Sequence, residues 1–261
     1  MIRVKYRDFA EYMKLTSNKI ERLRQLRQEV MALEGSLPRV EQRAESAVKL
    51  GPMEVAFPGR TFPLGANHEF ISTTPSEAAA TQGFVASLLG MLLRKGGYCL
   101  WIGNRRLVFP PALQLFGIAP HRVVFVDLVT EKEVLWTLEQ ALKCDALAAV
   151  VGELRELGFA DSQRLQLAVE RSRVTGFLLR HRPRSLHATA CNTRWKITSL
   201  PSQMEGGLPG VGFPTWNVEL LKVRNGRPGA WKLEWSRLQG FCSLPRQQEA
   251  SRRAQEGRRY A

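Results

Sequence analysis

HEFISTTPSEAAATQGFVASLLGMLLRKGGYCLWI, residues 68–102, is the stretch that decides the fold. It opens on a short, mainly apolar run at 68–72 and crosses an alanine-rich segment, ISTTPSEAAATQG at 71–83, into the almost wholly apolar 83–93. It then turns at Gly96 and Gly97 and ends in a second apolar run at 98–102. Apolar runs that do not alternate with polar residues predict strands covered on both faces, and the longer apolar stretch between them predicts a helix.

The same alternation continues outward. Runs at 122–127, 147–152 and 174–179 read as further buried strands. Pro110 and Pro111 precede a helical 112–116 that Gly117 stops. Thr130 and Glu133 form a capping box ahead of Val134, Leu135, Leu138, Ala141 and Leu142, and Asp161 or Ser162 caps a helix running through Val169. Strand and helix in strict alternation predict an α/β fold of three layers with a mostly parallel sheet. After residue 180 the helices stop. Trp216, Val218 and Leu220, then Trp231, Leu233 and Trp235, alternate with polar neighbours around a turn at 225–229, which predicts an antiparallel hairpin extending the sheet.

The ends have a different character. Ile20, Leu23, Leu26, Val30 and Leu33 recur at helical spacing among Arg22, Arg24, Arg27 and Glu29, so 1–51 reads as an amphipathic helical arm. Its stripe suits either the chain's own core or a partner's groove. Pro52, Pro58 and Pro63 make 52–65 a linker, 66–243 the core domain, and 244–261 a polar, Arg- and Gln-rich tail expected to be disordered. Within the core, 205–212 carries four glycines and reads as a loop.

The net charge of +14 is unevenly placed. Residues 52–179 carry twelve basic and twelve acidic side chains, residues 1–51 eleven against seven, and residues 180–261 fifteen against five. Concentrated positive charge favours polyanions, which makes nucleic acid the leading partner. Cys99, Cys144, Cys191 and Cys242 show no pairing pattern and read as thiols, and His181, His187 and Cys191 lack the tight spacing of a zinc site, so no metal is expected. No run reaches the roughly 18 apolar residues of a membrane helix, and Met1 to Ala10 lacks the core of a secretion signal. A soluble, cytoplasmic protein without membrane contact is the expectation.

The order of elements resembles the core of the RecA family, with 63–72 leading toward the position of the phosphate loop and 147–154 (LAAVVGEL) where that family's metal-binding aspartate stands. The nucleotide chemistry is missing from that outline. A phosphate loop needs closely spaced glycines and a lysine. Here Thr73, Thr74, Pro75, Ser76, Ala80 and Thr81 occupy the degenerate loop, and no lysine falls between Lys49 and Lys95. Gly152 takes the aspartate position, and Gly103 and Asn104 end the second strand where a catalytic glutamate would be. Glu153 reads as an ordinary surface glutamate. No cofactor and no catalytic activity are expected.

A narrower resemblance is carried by HEF, LLRKGGYCLWI, FPPALQLFGI, RVVFVD, ALAAVVGEL, RLQLAVERSRVTGFLLR, TRWKI and VELLKVRNGRPGAWKLEW. Together, over about 64–238, these segments are similar to the ImuA family, RecA-like accessory proteins of bacterial mutagenic DNA repair. The resemblance implies a role in damage-induced translesion synthesis and, as partners, an ImuB-type polymerase-like protein, RecA and an error-prone polymerase catalytic subunit, while the basic excess points to DNA, expected to be single-stranded. It leaves homo-oligomerisation open.

Arg180, Arg182 and Arg184 crowd into five residues after a late strand, and Arg194 and Lys196 flank Trp195, an aromatic able to stack on a base. These cations are the candidate DNA contacts. Arg252, Arg253, Arg258 and Arg259 in the tail are the candidate partner contacts. Two other readings compete: an ATPase with an unorthodox site at 72–76 and Glu153, and a RecA-like inhibitor of cell division.

Overall fold

A computed structural model describes residues 48–105, 107–202 and 212–244. The N-terminal arm, most of the 205–212 loop and the basic tail lie outside them. The opening unit becomes β1 (Asn67–Ser72), α1 (Pro75–Leu92) and β2 (Tyr98–Gly103). The chain continues through β3 (Val123–Asp127), α2 (Glu131–Leu142), β4 (Leu147–Leu154), α3 (Phe159–Ser172) and β5 (Thr175–His181). It finishes with β6 (Thr193–Leu200), β7 (Thr215–Val223), β8 (Gly229–Ser236) and β9 (Gly240–Ser243).

All nine strands join one sheet in the order β3-β2-β4-β5-β1-β6-β7-β8-β9. The six from β3 to β6 are parallel and the last three antiparallel. This is the expected α/β architecture, with the hairpin as β7 and β8. Two further strands, β6 and β9, widen it.

Two apolar cores lie on opposite faces. On one, α1 packs Phe84, Leu88 and Leu89 against Phe70, Phe177, Trp195, Trp216 and Phe241. On the other, Leu138 and Leu142 of α2 and Leu165 and Val169 of α3 meet Ile102, Val150 and Leu178. The capping box at Thr130 and Glu133 forms as expected. By contrast, α3 is capped at Gly158 rather than by Asp161 or Ser162, because Ser162 spends its hydroxyl on the Phe159 carbonyl.

The stretch expected to be a linker is instead part of the core. Met53, Phe57 and Phe62 are buried, and the short 3-10 turn Gly51–Ala56 lies beside β9. Proline excludes an α-helix from this stretch, but it does not prevent aromatic side chains from burying their surface. Phe62 stacks on His68 at 4.3 Å. That histidine donates from Nε2 to the Pro63 carbonyl (2.9 Å) and accepts at Nδ1 from the Thr193 hydroxyl (2.8 Å), which in turn receives Trp195 Nε1 (2.7 Å). Burial, opposed by the Pro63 bond, lowers its pKa to about 3, so it is a neutral structural side chain.

Candidate functional site

Ligands of open parallel sheets sit at the carboxyl ends of the strands. There the β1–α1 connection is only two residues, Thr73 and Thr74, because α1 begins at Pro75 and not at 83. Three local features start it early. Pro75 has its φ preset, Thr74 accepts the Glu77 N–H at 3.2 Å as N-cap, and Ala78, Ala79 and Ala80 are the strongest helix formers. The positions read as a degenerate phosphate loop, Pro75, Ser76, Ala80 and Thr81, are therefore helix. Thr81 turns inward to bond Ser72 at 3.0 Å.

The helix N-terminus carries its own anion. Glu77 Oε2 accepts from the Thr73 N–H (2.6 Å) and the Thr73 hydroxyl (2.7 Å), and Lys196 Nζ approaches Oε1 at 3.4 Å. Partial burial works to raise the pKa of this carboxyl, but the Thr73 bonds and Lys196 outweigh it and hold the group below its ordinary range. A carboxylate thus lies where a bound phosphate would meet the helix dipole.

The neighbouring strand ends are equally altered. A Cβ on Gly152 would collide with the Leu138 side chain, which is fully buried, so the packing of α2 on β4 excludes aspartate at this position. Glu153, read as a surface residue, is only 4% exposed. Its Oε1 receives Trp101 Nε1 at 2.8 Å, and its Oε2 lies 3.2 Å from where a Gly103 Cβ would stand. Burial, reinforced by Asp127 and opposed by the Trp101 bond, raises its pKa to about 7.

The candidate DNA cations separate into two groups. Arg180 ends up 1% exposed, its Nη1 donating to Glu69 Oε1 at 2.8 Å and its Nη2 to the Ser185 carbonyl at 3.0 Å. Arg194 Nε donates to the other oxygen of Glu69 at 2.8 Å. These two guanidiniums are structural, and Trp195, at 0% exposure, is core rather than a stacking platform. Lys196 is engaged by Glu77. Arg182 and Arg184 alone of the set are exposed.

Sequence reading missed Glu69, which is fully buried at the centre of the sheet and takes Arg180, Arg194 and the Thr189 hydroxyl (2.8 Å). The signal was present in HEF, since a carboxylate inside an otherwise buried strand requires cationic partners. It also missed Arg155, exposed just beyond β4, whose Nε donates to the Arg182 carbonyl at 3.3 Å. Among the described residues, no three His, Cys, Asp or Glu side chains gather as metal ligands. His187 is exposed, whereas Cys191 is buried, its thiol pushed up to about 12 chiefly by burial. No described helix is long and apolar enough to cross a membrane.

No family model matches the chain. Protein ImuA of Caulobacter vibrioides, from strain NA1000 / CB15N and equally from strain ATCC 19089 / CIP 103742 / CB 15, is 36% identical to it over 190 residues, 68% of this chain and 78% of the relative. Among solved structures, SulA from Pseudomonas aeruginosa is similar at 16% identity, over 46% of this chain and 99% of its own, with a TM-score of 0.39.

Proposed function

This chain belongs to the ImuA family, and from that premise we propose that it is a non-catalytic accessory protein of damage-induced translesion synthesis, binding an ImuB-type polymerase-like partner and single-stranded DNA. The observation that carries the non-catalytic part is Glu77. Its carboxylate takes the Thr73 N–H and hydroxyl at the α1 N-terminus, so a nucleotide's phosphates would meet negative charge in place of free amides. The exclusion of a carboxylate at Gly152 by Leu138 supports the same reading from the adjacent strand. The DNA part is supported by the basic excess of the C-terminal third and by the exposed Arg182 and Arg184.

The test is an equilibrium titration of the full chain with labelled ATP and magnesium. No saturable binding is expected at micromolar protein. Submicromolar binding, with turnover that Glu153→Gln abolishes, would establish an unorthodox ATPase and overturn the proposal.

A further inference from the structure

We propose that 182–189, the strap joining β5 to β6, is a prebuilt surface for the phosphate backbone of a nucleic-acid strand, with Arg155, Arg182 and Arg184 as its contacts; this rests on the DNA part of the function proposed above. The strap contains neither helix nor strand, yet cationic side chains from four different places fix its backbone. Arg155 Nε donates to the Arg182 carbonyl (3.3 Å), Arg180 Nη2 to that of Ser185 (3.0 Å), Arg194 Nη2 to that of His187 (2.6 Å) and Lys222 Nζ to that of Thr189 (2.6 Å). Its amides are held as well. The Arg182 N–H donates to the Ser72 carbonyl at 2.7 Å, with Arg182 in the left-handed region at φ 51, and the Arg184 N–H donates to Glu156 Oε1 at 2.7 Å.

Beneath the strap, Glu69 and Glu156 offset Arg180 and Arg194 and leave Lys222 over, so the supporting layer does not oppose the positive field of the outer guanidiniums. Arg155, Arg182 and Arg184 are exposed and make no ion pair among the described residues. Arg155 directly follows β4 and Arg182 directly follows β5, neighbouring strands about 4.8 Å apart, and Arg184 lies two residues further along the strap. A row of like charges on a loop already fixed in place suits a linear polyanion, because little order is lost on binding. Leu186, 55% exposed, and His187 lie beside them and offer contact to unstacked bases, which favours a single strand over an acidic protein. Two of the cations that stand out in the sequence, Arg180 and Arg194, hold the surface from below instead of touching the ligand.

The experiment is fluorescence anisotropy of labelled oligothymidylate with the full chain across a sodium chloride series. Arg182 and Arg184 are exposed and held through their backbones, so their alanine variants leave the fold intact. Arg155→Ala also frees the Arg182 carbonyl, and Arg155→Lys, which keeps the charge without the Nε donor and should keep the slope, separates the two effects. With a slope of about −0.7 in log K against log salt per phosphate contact, the triple variant should flatten the dependence by about 2 and R155A alone by about 0.7. If the wild type binds and the triple variant keeps its slope, the contact surface lies elsewhere and this inference fails while the function proposed above stands. Displacement of the oligonucleotide by polyglutamate at equal charge concentration would also overturn it, by making the surface one for acidic protein. A wild type that binds no oligothymidylate even at low salt removes the DNA part of the function as well.

Discussion

Glu69 and Glu153 are both nearly inaccessible carboxyls in the same sheet, and they have different partners. Glu69 faces two guanidiniums and a hydroxyl, whereas Glu153 has the single neutral donor of Trp101 and a second carboxylate, Asp127, nearby. With its folded pKa raised from 4.5 to about 7, Glu153 binds more protons in the folded protein than in the unfolded chain across that interval. The stability it contributes is therefore present at low pH and lost as pH rises from about 5 through 7, on the order of 3 kcal/mol at 1.36 kcal/mol per pKa unit. Glu153→Gln keeps an acceptor for Trp101 without the charge. Urea unfolding at pH 5 and pH 8 should show the wild type losing roughly 2–3 kcal/mol relative to the variant between the two pH values, because His68 and His181, whose pKa values burial lowers, pull both proteins the other way and cancel in the difference. A difference between wild type and variant that is the same at both pH values would show that Glu153 stays ionised throughout.

Elements depend on what packs against them as much as on their own residues. Gly90 lies inside α1, where alanine would favour the helix by about 1 kcal/mol. A Cβ there, however, would collide with the Phe116 backbone carbonyl in the 3-10 segment Pro110–Phe116. Overpacking costs about 1–3 kcal/mol, so Gly90→Ala should lower the melting temperature despite the better helix former. A rise would mean that this segment moves aside freely. The same balance decides what could be read from the sequence. The parallel strands and the capping box at Thr130 and Glu133 were legible because they rest on contiguous patterns. The start of α1 was misplaced because a family outline expected a loop where Pro75 and three alanines dictate helix. The Glu69 pair was not legible, since Arg180 stands 111 residues away and only strand order makes them neighbours. The burial of 52–65 was missed for the same reason: Phe57 finds Trp195, at 6.0 Å, only once β6 is in the sheet.

At the scale of the whole molecule, charge and fold separate. Residues 52–179 are electrically balanced, and the basic excess of 180–261 falls partly on the strap and partly beyond Ser243, where β9 closes the sheet. The described cores reach Phe241, so a chain ending at residue 244 keeps every described core residue and loses the cations beyond it. Arg252, Arg253, Arg258 and Arg259 are among them. If they meet the polymerase-like partner through an electrostatic surface, capture should be salt-sensitive in the full chain, because exposed charges act mainly on encounter and are screened within about 10 Å at 0.1 M salt. Co-purification of a tagged ImuB-type protein with the full chain and with the chain ending at 244, at low and high salt, separates the possibilities. The shortened chain should keep its thermal transition and lose most of the captured partner at low salt, while strap-dependent oligothymidylate binding remains. Equal capture by both forms would assign the partner surface to the folded core and leave the tail's arginines without a role in this contact.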